Sequence, residues 1–434
     1  MTHQVQIWAL IPFVLMLGGI AVFPFIIKEW WEKNSNKLIV SLLLGIPVAA
    51  YLFKIGLWGD FEEQMLFEYI PFIMLLGSLF VVTGGIHQTG DVAAKPWINT
   101  MILGAGFAAA SFIGTTGAAM LLIRSLLEIN KQRKYKVHTV LFFIAIVANC
   151  GGVLSPLGDP PLFLLYLKGV KFAWFFTLFK EWLFVGSVLL LLYFIVDMVL
   201  YFKYEPKENI HADNTEIEPI RVKGKINILY LIAIIASVAF VNEEYIPAMR
   251  ADNAPIYIKY LREIILAAII ALSLLTTKKG VRKDNGFTWT PIVEVAVLFI
   301  GIFATMTPAL LFLKENASML GFTHPWQFFY GTGSLSSILD NAPTAMAFYS
   351  MGSGLPAPAG IDLVAGVEPV ILRAIALGAV FFGSMTYIGN GPNFMVKSIA
   401  EEHGIKMPSF FGYIFKFSLI VLLPVYIIMQ LIFL

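Results

Sequence analysis

Charge is scarce in this chain: Asp, Glu, Lys and Arg make up only 13% of its 434 residues. A soluble domain carries about a quarter, so most of this chain cannot be presenting a surface to water. Cysteine is nearly absent, and the single Cys150 excludes an internal disulfide. It lies in an apolar stretch between Asn149 and Gly151, as a small buried residue would. The six His residues fall mostly near segment ends, without the spacing of metal ligands. No phosphate-binding Gly-x-x-x-x-Gly-Lys loop and no His-Glu-x-x-His helix occurs, which argues against an ATP-driven pump and a zinc protease. The opening Met1-Thr-His-Gln-Val-Gln6 has no Lys or Arg and no obvious small-residue cleavage site follows, so a signal peptide is not expected.

What is present is apolar. Hydrophobic residues reach 58%, mean hydropathy is +0.79, and runs long enough to cross a hydrocarbon core recur from end to end. The expected fold class is an all-α polytopic membrane protein. Net charge is only +2, but its distribution is uneven. Basic residues gather at Lys28 to Lys37, Arg124 to Lys136, Lys203 to Lys225 and Lys278 to Lys283, whereas Asp60 to Glu63 and Asn242 to Glu244 are acidic or neutral. The positive-inside rule makes the basic loops cytoplasmic and the N-terminus external, as in a bacterial plasma membrane. Because these clusters flank spans, nucleic acid is not an expected partner; the lipid bilayer is. Trp8, Trp30, Trp31, Trp97, Trp174 and Trp182 sit near span ends, as belt residues do.

Spans are expected near 7–27, 38–55 and 66–86, then a broken segment over 96–129 with basic residues at both ends, which reads as a re-entrant hairpin. A helix over 137–153, a break at 155–161, a short continuation and a span over 174–202 complete residues 1–202. A polar linker, 203–227, precedes a second half, 228–434, in which the order recurs: three spans, a hairpin over 325–352 with flanks nearly free of Lys and Arg, a helix from Pro369 broken near 389–392, and a final span. Thr83 and Thr307, Ser111 and Ser337, and Gly158 and Gly389 lie between 224 and 231 positions apart. Five crossings plus one hairpin per half is an odd count, so the second half is expected to run upside down: an inverted repeat, the plan of many secondary transporters.

The four breaks form two matched pairs. Ser111-Phe-Ile-Gly-Thr-Thr-Gly117 corresponds to Ser337-Ile-Leu-Asp-Asn-Ala-Pro343, and Pro156-Leu-Gly-Asp-Pro-Pro161 to Tyr387-Ile-Gly-Asn-Gly-Pro392. Irregular backbone at membrane depth persists only when buried in protein or lining a cavity. Three breaks place Asp or Asn within two residues of Pro: Asp159 before Pro160 and Pro161, Asn341 before Pro343, Asn390 before Pro392. That grammar starts a helix. Gly114, Gly117, Gly389 and Gly391 are expected to relax the backbone there. The plainer reading, ordinary kinks, suits one break better than four at related places.

Asp159 and Asp340 are the decisive side chains, because an ionisable group at mid-membrane costs roughly 3 kcal/mol and by default marks function. A carboxyl that trades a proton for a cation is the physical core of an antiporter, so both are expected to bind sodium. The plainer reading of each is an N-cap serving its own helix. Thr115, Thr116, Asn149, Ser155, Asn341, Thr344, Asn390 and Asn393 add neutral oxygens, which suit a hard cation, or else satisfy backbone at the breaks. Arg124 and Arg373 read as interface markers.

At these residues the chain resembles the ion transporter superfamily. Leu339-Asp-Asn-Ala-Pro-Thr344 and Ile388-Gly-Asn-Gly-Pro-Asn393 carry the likeness, and Asn149 to Phe163 is similar to a branch labelled citrate transporter or sodium/proton antiporter of the NhaD type. The resemblance spans nearly the whole chain. It implies a scaffold domain, a transport domain with two hairpins, substrate at their tips, and a homodimer. One departure stands out: NhaD-type relatives usually carry Asp-Asn at the first tip, where Gly114-Thr115-Thr116-Gly117 stands here.

The leading expectation is sodium/proton antiport by alternating access, with no cofactor beyond the transported sodium ion and proton. The alternative is symport of citrate or a dicarboxylate with sodium or a metal ion. A third class, an intramembrane aspartyl protease using Asp159 and Asp340, fits poorly: Pro156 stands where its Gly-x-Gly-Asp motif needs Gly, and Asp340 lacks a Tyr before it. The chain is therefore not expected to be an enzyme.

Overall fold

The computed structural model describes residues 5–215, 217–251 and 253–434. The first four residues, on which the expectation about the N-terminus partly rests, lie outside them. The protein is an almost wholly helical, multi-pass membrane protein. Among the described residues, seven helices are long and apolar enough to span: α1 (Ile7–Ile26), α2 (Asn34–Lys54), α3 (Trp58–Thr83), α4 (Pro96–Ile113), α8 (Phe172–Tyr204), α12 (Thr290–Glu315) and α17 (Phe410–Phe433). Between them, leaving aside the short helices Lys28–Trp31, Ile256–Lys259 and Lys279–Asp284, lie α5 (Thr115–Ile129), α6 (Val137–Ile146), α7 (Pro160–Leu167), α9 (Lys207–Thr215), α10 (Ile226–Phe240), α11 (Leu261–Thr276), α13 (Pro325–Ser336), α14 (Asn341–Ser353), α15 (Pro369–Phe382) and α16 (Gly391–Glu402).

Sequence punctuation sets these boundaries. Proline opens α4, α7, α13 and α15 and takes the second position of α16, where its missing N–H has no intrahelical partner to lose. Small residues let α2 and α12 approach: a Cβ on Gly301 would lie 2.6 Å from Ser41 Oγ, and one on Gly45 would lie 3.0 Å from Ala304 Cβ. The Ser41 hydroxyl donates to Val297 O at 2.8 Å, and Lys37 pairs with Glu294 at 2.6 Å. Helices α4 and α5 pack on each other, as do α13 and α14, each pair joined by a short tip.

The expected linker is more ordered than its composition suggests. It holds α9 and a strand, β2 (Glu218–Lys223), that pairs antiparallel with β1 (His87–Asp91), with His87 opposite Lys223 and Asp91 opposite Glu218. The register slips between Thr89 and Asp91. Gly90 sits there at φ +122°, and a Cβ on it would meet Ile220 Cα at 2.6 Å, so a bulge is built on glycine. Buried charges fasten the neighbouring loop. Arg133 pairs with Asp197 at 2.7 Å and Glu205 at 3.4 Å, and the amides of Lys134 and Tyr135 donate to Glu205 at 2.6 and 3.3 Å.

Candidate transport site

Each break solves the same local problem: backbone groups released from a helix need partners. In the first half, Ser155 Oγ donates to Ser111 O while Ser111 Oγ donates to Gly151 O. The amide of Leu157 donates to Ser155 Oγ at 3.2 Å, and Thr115 N donates to Gly158 O at 2.7 Å, stitching the first hairpin tip to the break before α7. In the second half, Thr386 Oγ1 donates to Ser337 O and accepts from Ile388 N and Gly389 N, both at 3.1 Å. Thr386 does at one break what Ser155 does at the other. The backbone also doubles back tightly at both. A Cβ on Gly158 would lie 2.1 Å from Gly152 O, and one on Gly389 would lie 2.7 Å from Gly383 O.

Asp159 stands where all four breaks converge. It is buried, 1% exposed, and occupies the N-cap position of α7 without capping it. Its Oδ1 accepts from Thr115 Oγ1 at 2.7 Å and from Asn390 Nδ2 at 3.0 Å; its Oδ2 accepts from Asn341 Nδ2. Thr115 belongs to the first hairpin tip, Asn341 to the second, and Asn390 to the break before α16. Asn390 likewise leaves its own helix uncapped. Three neutral donors thus hold one carboxylate, and no Lys or Arg is bonded to Asp159 among the described residues.

Asn149 and Asn393 hold Asn390 in place. Asn149 Oδ1 accepts from Asn390 Nδ2 at 3.2 Å, and Asn149 Nδ2 donates to Asn393 Oδ1 at 2.7 Å and Ile144 O at 2.8 Å. Asn393 Nδ2 donates to Gly383 O and Thr386 O, at 2.7 and 2.8 Å. All three amides are buried.

Asp340 is placed differently. It is half-buried, and its Oδ1 accepts from Ala342 N at 3.0 Å, capping α14. Asp340 makes no hydrogen bond to Asp159; the link runs through its neighbour Asn341. Thr344 Oγ1 donates to Asp340 O at 2.8 Å, so this hydroxyl, like that of Ser155, is engaged with backbone. Pro160, Pro161, Pro343 and Pro392 all stand in the first turn of a helix. Gly114 is the one residue between α4 and α5, at φ +81°, a backbone that favours glycine.

Thr116 is half-buried and lines a cavity of about 80 Å³ together with Leu79, Leu157 and Gly158, and with Ile292 and Val295 of α12. It adjoins Asp159 in sequence on both sides, through Gly158 and Pro160. A second cavity, of about 160 Å³, lies beneath the loop after α14, among Thr323, Leu355, Leu363 and Glu368, and includes no residue of the breaks. Among the described residues, no three His, Cys, Asp or Glu side chains are grouped so as to hold a metal ion.

The backbone-satisfying Ser111 and Thr386 were not among the residues expected to matter. A signal existed for one of them: Thr386 precedes Gly389 by three positions, as Ser155 precedes Gly158.

The site offers one buried carboxylate among neutral hydroxyl and amide donors. An amide turned over presents its carbonyl oxygen where its NH₂ stood, so Asn341 and Asn390 are able to serve either an anionic Asp159 or a cation beside it. No curated protein matches this chain. A family model described as "Putative citrate transport" matches residues 2–434, and the chain belongs to that family.

Proposed function

We propose that this protein is a secondary active transporter that exchanges sodium for protons by alternating access, with Asp159 as the exchanging carboxylate. The observation that carries this reading is the convergence of Thr115, Asn341 and Asn390 on Asp159 from three other breaks. A carboxylate ringed by neutral groups gains most from a cation or a proton, since either cancels a charge that burial penalises. Anion binding has thinner support. Prolines at 160 and 161 remove two N–H donors from the start of α7, and the amides of Leu162 and Phe163 are bonded to Asp159 O at 3.0 and 3.4 Å. The cavity of about 80 Å³ also falls well below the ~300 Å³ at which ordinary organic-ligand pockets begin.

Symport of citrate or a dicarboxylate with sodium or a metal ion is the second reading, favoured by the family description. It would use Asp159 to hold the coupling cation and the start of α14 or α16 to meet a substrate carboxylate. Both readings take residues 1–202 and 228–434 as oppositely oriented halves joined at 203–227, in a bacterial inner membrane as a homodimer with the N-terminus outside. The parallel bonding of Ser155 and Thr386 supports that relation. Asp340, on this view, contributes charge beside the junction, and Thr116 lines the route to it.

Purified protein in liposomes separates the two. An imposed sodium gradient that alkalinises the lumen without any organic acid supports exchange. Sodium-dependent uptake of labelled citrate with no such alkalinisation replaces it with symport.

A further inference from the structure

Helix α7 carries Asp159 at one end and a set of charged anchors at the other. Lys168, just past its last residue, forms an ion pair with Glu68 of α3, which also accepts from Gln64 Nε2 at 2.7 Å. Tyr166 OH donates to Val238 O of α10 at 2.8 Å and accepts from Arg262 Nη1 of α11 at 3.4 Å. The Arg262 guanidinium lies 5.7 and 5.5 Å from the rings of Phe163 and Tyr166 and is itself bonded to Glu263 at 2.6 Å. Three helices that carry no break therefore grip the far end of the half-helix whose near end is Asp159.

The near end is bonded to the other breaks but borders open space. There, the cavity of about 80 Å³ separates Leu157, Gly158 and Pro160 from Leu76, Leu79 and Phe80 of α3 and from Ile292 and Val295 of α12. Glu68 is 4% exposed and lies in a π-wound stretch, Gln64–Tyr69. Such stretches leave the helix ladder locally irregular and recur at functional positions. A buried carboxylate that loses a paired cation is strongly disfavoured, whereas Lys168, whose side chain is 25% exposed, can turn to water. The pair is accordingly stable when closed and has one partner able to leave.

We infer that Lys168–Glu68, reinforced by Tyr166 and Arg262, is a latch that pins α7 to α3, α10 and α11 and holds the face bearing Lys168 closed. Because α7 is one rigid unit, its release tilts the Asp159 end across the cavity and opens that face to the site. The latch rests on the alternating-access reading above.

The test uses a cysteine at Thr116, beside the cavity, in the full-length protein in oriented membrane vesicles; Cys150 is buried. A membrane-impermeant maleimide is applied from one face or the other, so the readout needs no transported substrate. Lys168→Gln should raise labelling from the Lys168 face about tenfold relative to the opposite face, the shift that 1.4 kcal/mol makes in an equilibrium. Lys168→Arg should keep the parent ratio. Should Lys168→Gln fold poorly, Tyr166→Phe, which removes only the hydroxyl, should shift the ratio in the same direction. An unchanged ratio in folded Lys168→Gln, with the parent labelled from both faces, overturns the latch and leaves alternating access standing. Labelling from one face only in the parent and in every variant overturns both.

Discussion

Asn390 donates to Asp159 across 3.0 Å although the two residues lie 231 positions apart. The bond joins the break before α7 to the break before α16, and each residue leaves its own helix start uncapped to make it. An N-cap bond is worth about 1 kcal/mol, so both helices forgo a local stabilisation in favour of the junction. Asn390→Ala should therefore weaken cation binding more than folding. The half-saturating concentration of the driving cation is expected to rise roughly tenfold, the effect of one lost bond to a charged group, with an unchanged elution profile in detergent. Cation titrations of flux in liposomes check this.

Asp340 caps α14 by accepting from Ala342 N. Asn caps as well as Asp, whereas Ala loses about 1 kcal/mol. Asp340→Asn should then preserve the start of α14 and still abolish flux, because only the charge is gone. Full flux in Asp340→Asn, combined with thermal destabilisation in Asp340→Ala, would reduce this residue to a cap.

The glycines at the breaks differ sharply in what they tolerate. Gly158→Ala places a methyl 2.1 Å from Gly152 O, whereas Gly391→Ala meets nothing within 4 Å. A backbone oxygen cannot step aside, so Gly158→Ala should cost about 3 kcal/mol or more. Gly391→Ala should leave the melting temperature in detergent unchanged. The comparison is made by thermal melts of the two purified variants.

Buried Arg133 pairs with two buried carboxylates, Asp197 and Glu205. Removing Asp197 leaves the guanidinium with Glu205 alone. Asp197→Ala is expected to destabilise by about 3–5 kcal/mol and to lower the yield of folded protein. Thermal melts alongside the exposed-pair variant Lys171→Ala, whose partner is Glu244 at 3.0 Å, provide the scale: an exposed pair contributes about 1 kcal/mol or less.

The breaks were legible in the sequence because their causes are local. Pro after Asp or Asn starts a helix, and Gly114 permits the one-residue tip; both follow from single-residue stereochemistry. The long spans were legible through hydropathy: α1 and α2 lie close to the expected ranges, whereas α3 begins at Trp58, ahead of the expected 66. The β1–β2 pair was not. His87 to Asp91 and Glu218 to Lys223 are polar, short and far apart in sequence, and only tertiary proximity makes them partners. Helix α9 escaped for a related reason: its polar composition resembles a linker, and its anchor, the bonds from Ala94 N to Asp213 at 2.9 and 3.1 Å, is long-range. At the site, the residue types were readable, but their division of labour was not. Nothing local distinguishes Asp159, turned to Thr115 and Asn341, from Asp340, turned to its own helix.

Exchange of a proton for a cation at Asp159 is the step on which transport rests in this reading. The direct measurement is cation-driven proton flux in liposomes holding wild type or Asp159→Asn at matched protein density, with folding confirmed by elution profile. Replacing the carboxylate by an amide keeps the shape and removes the charge. A clear pH change is expected in the wild type and none in folded Asp159→Asn. Undiminished flux in Asp159→Asn would contradict it.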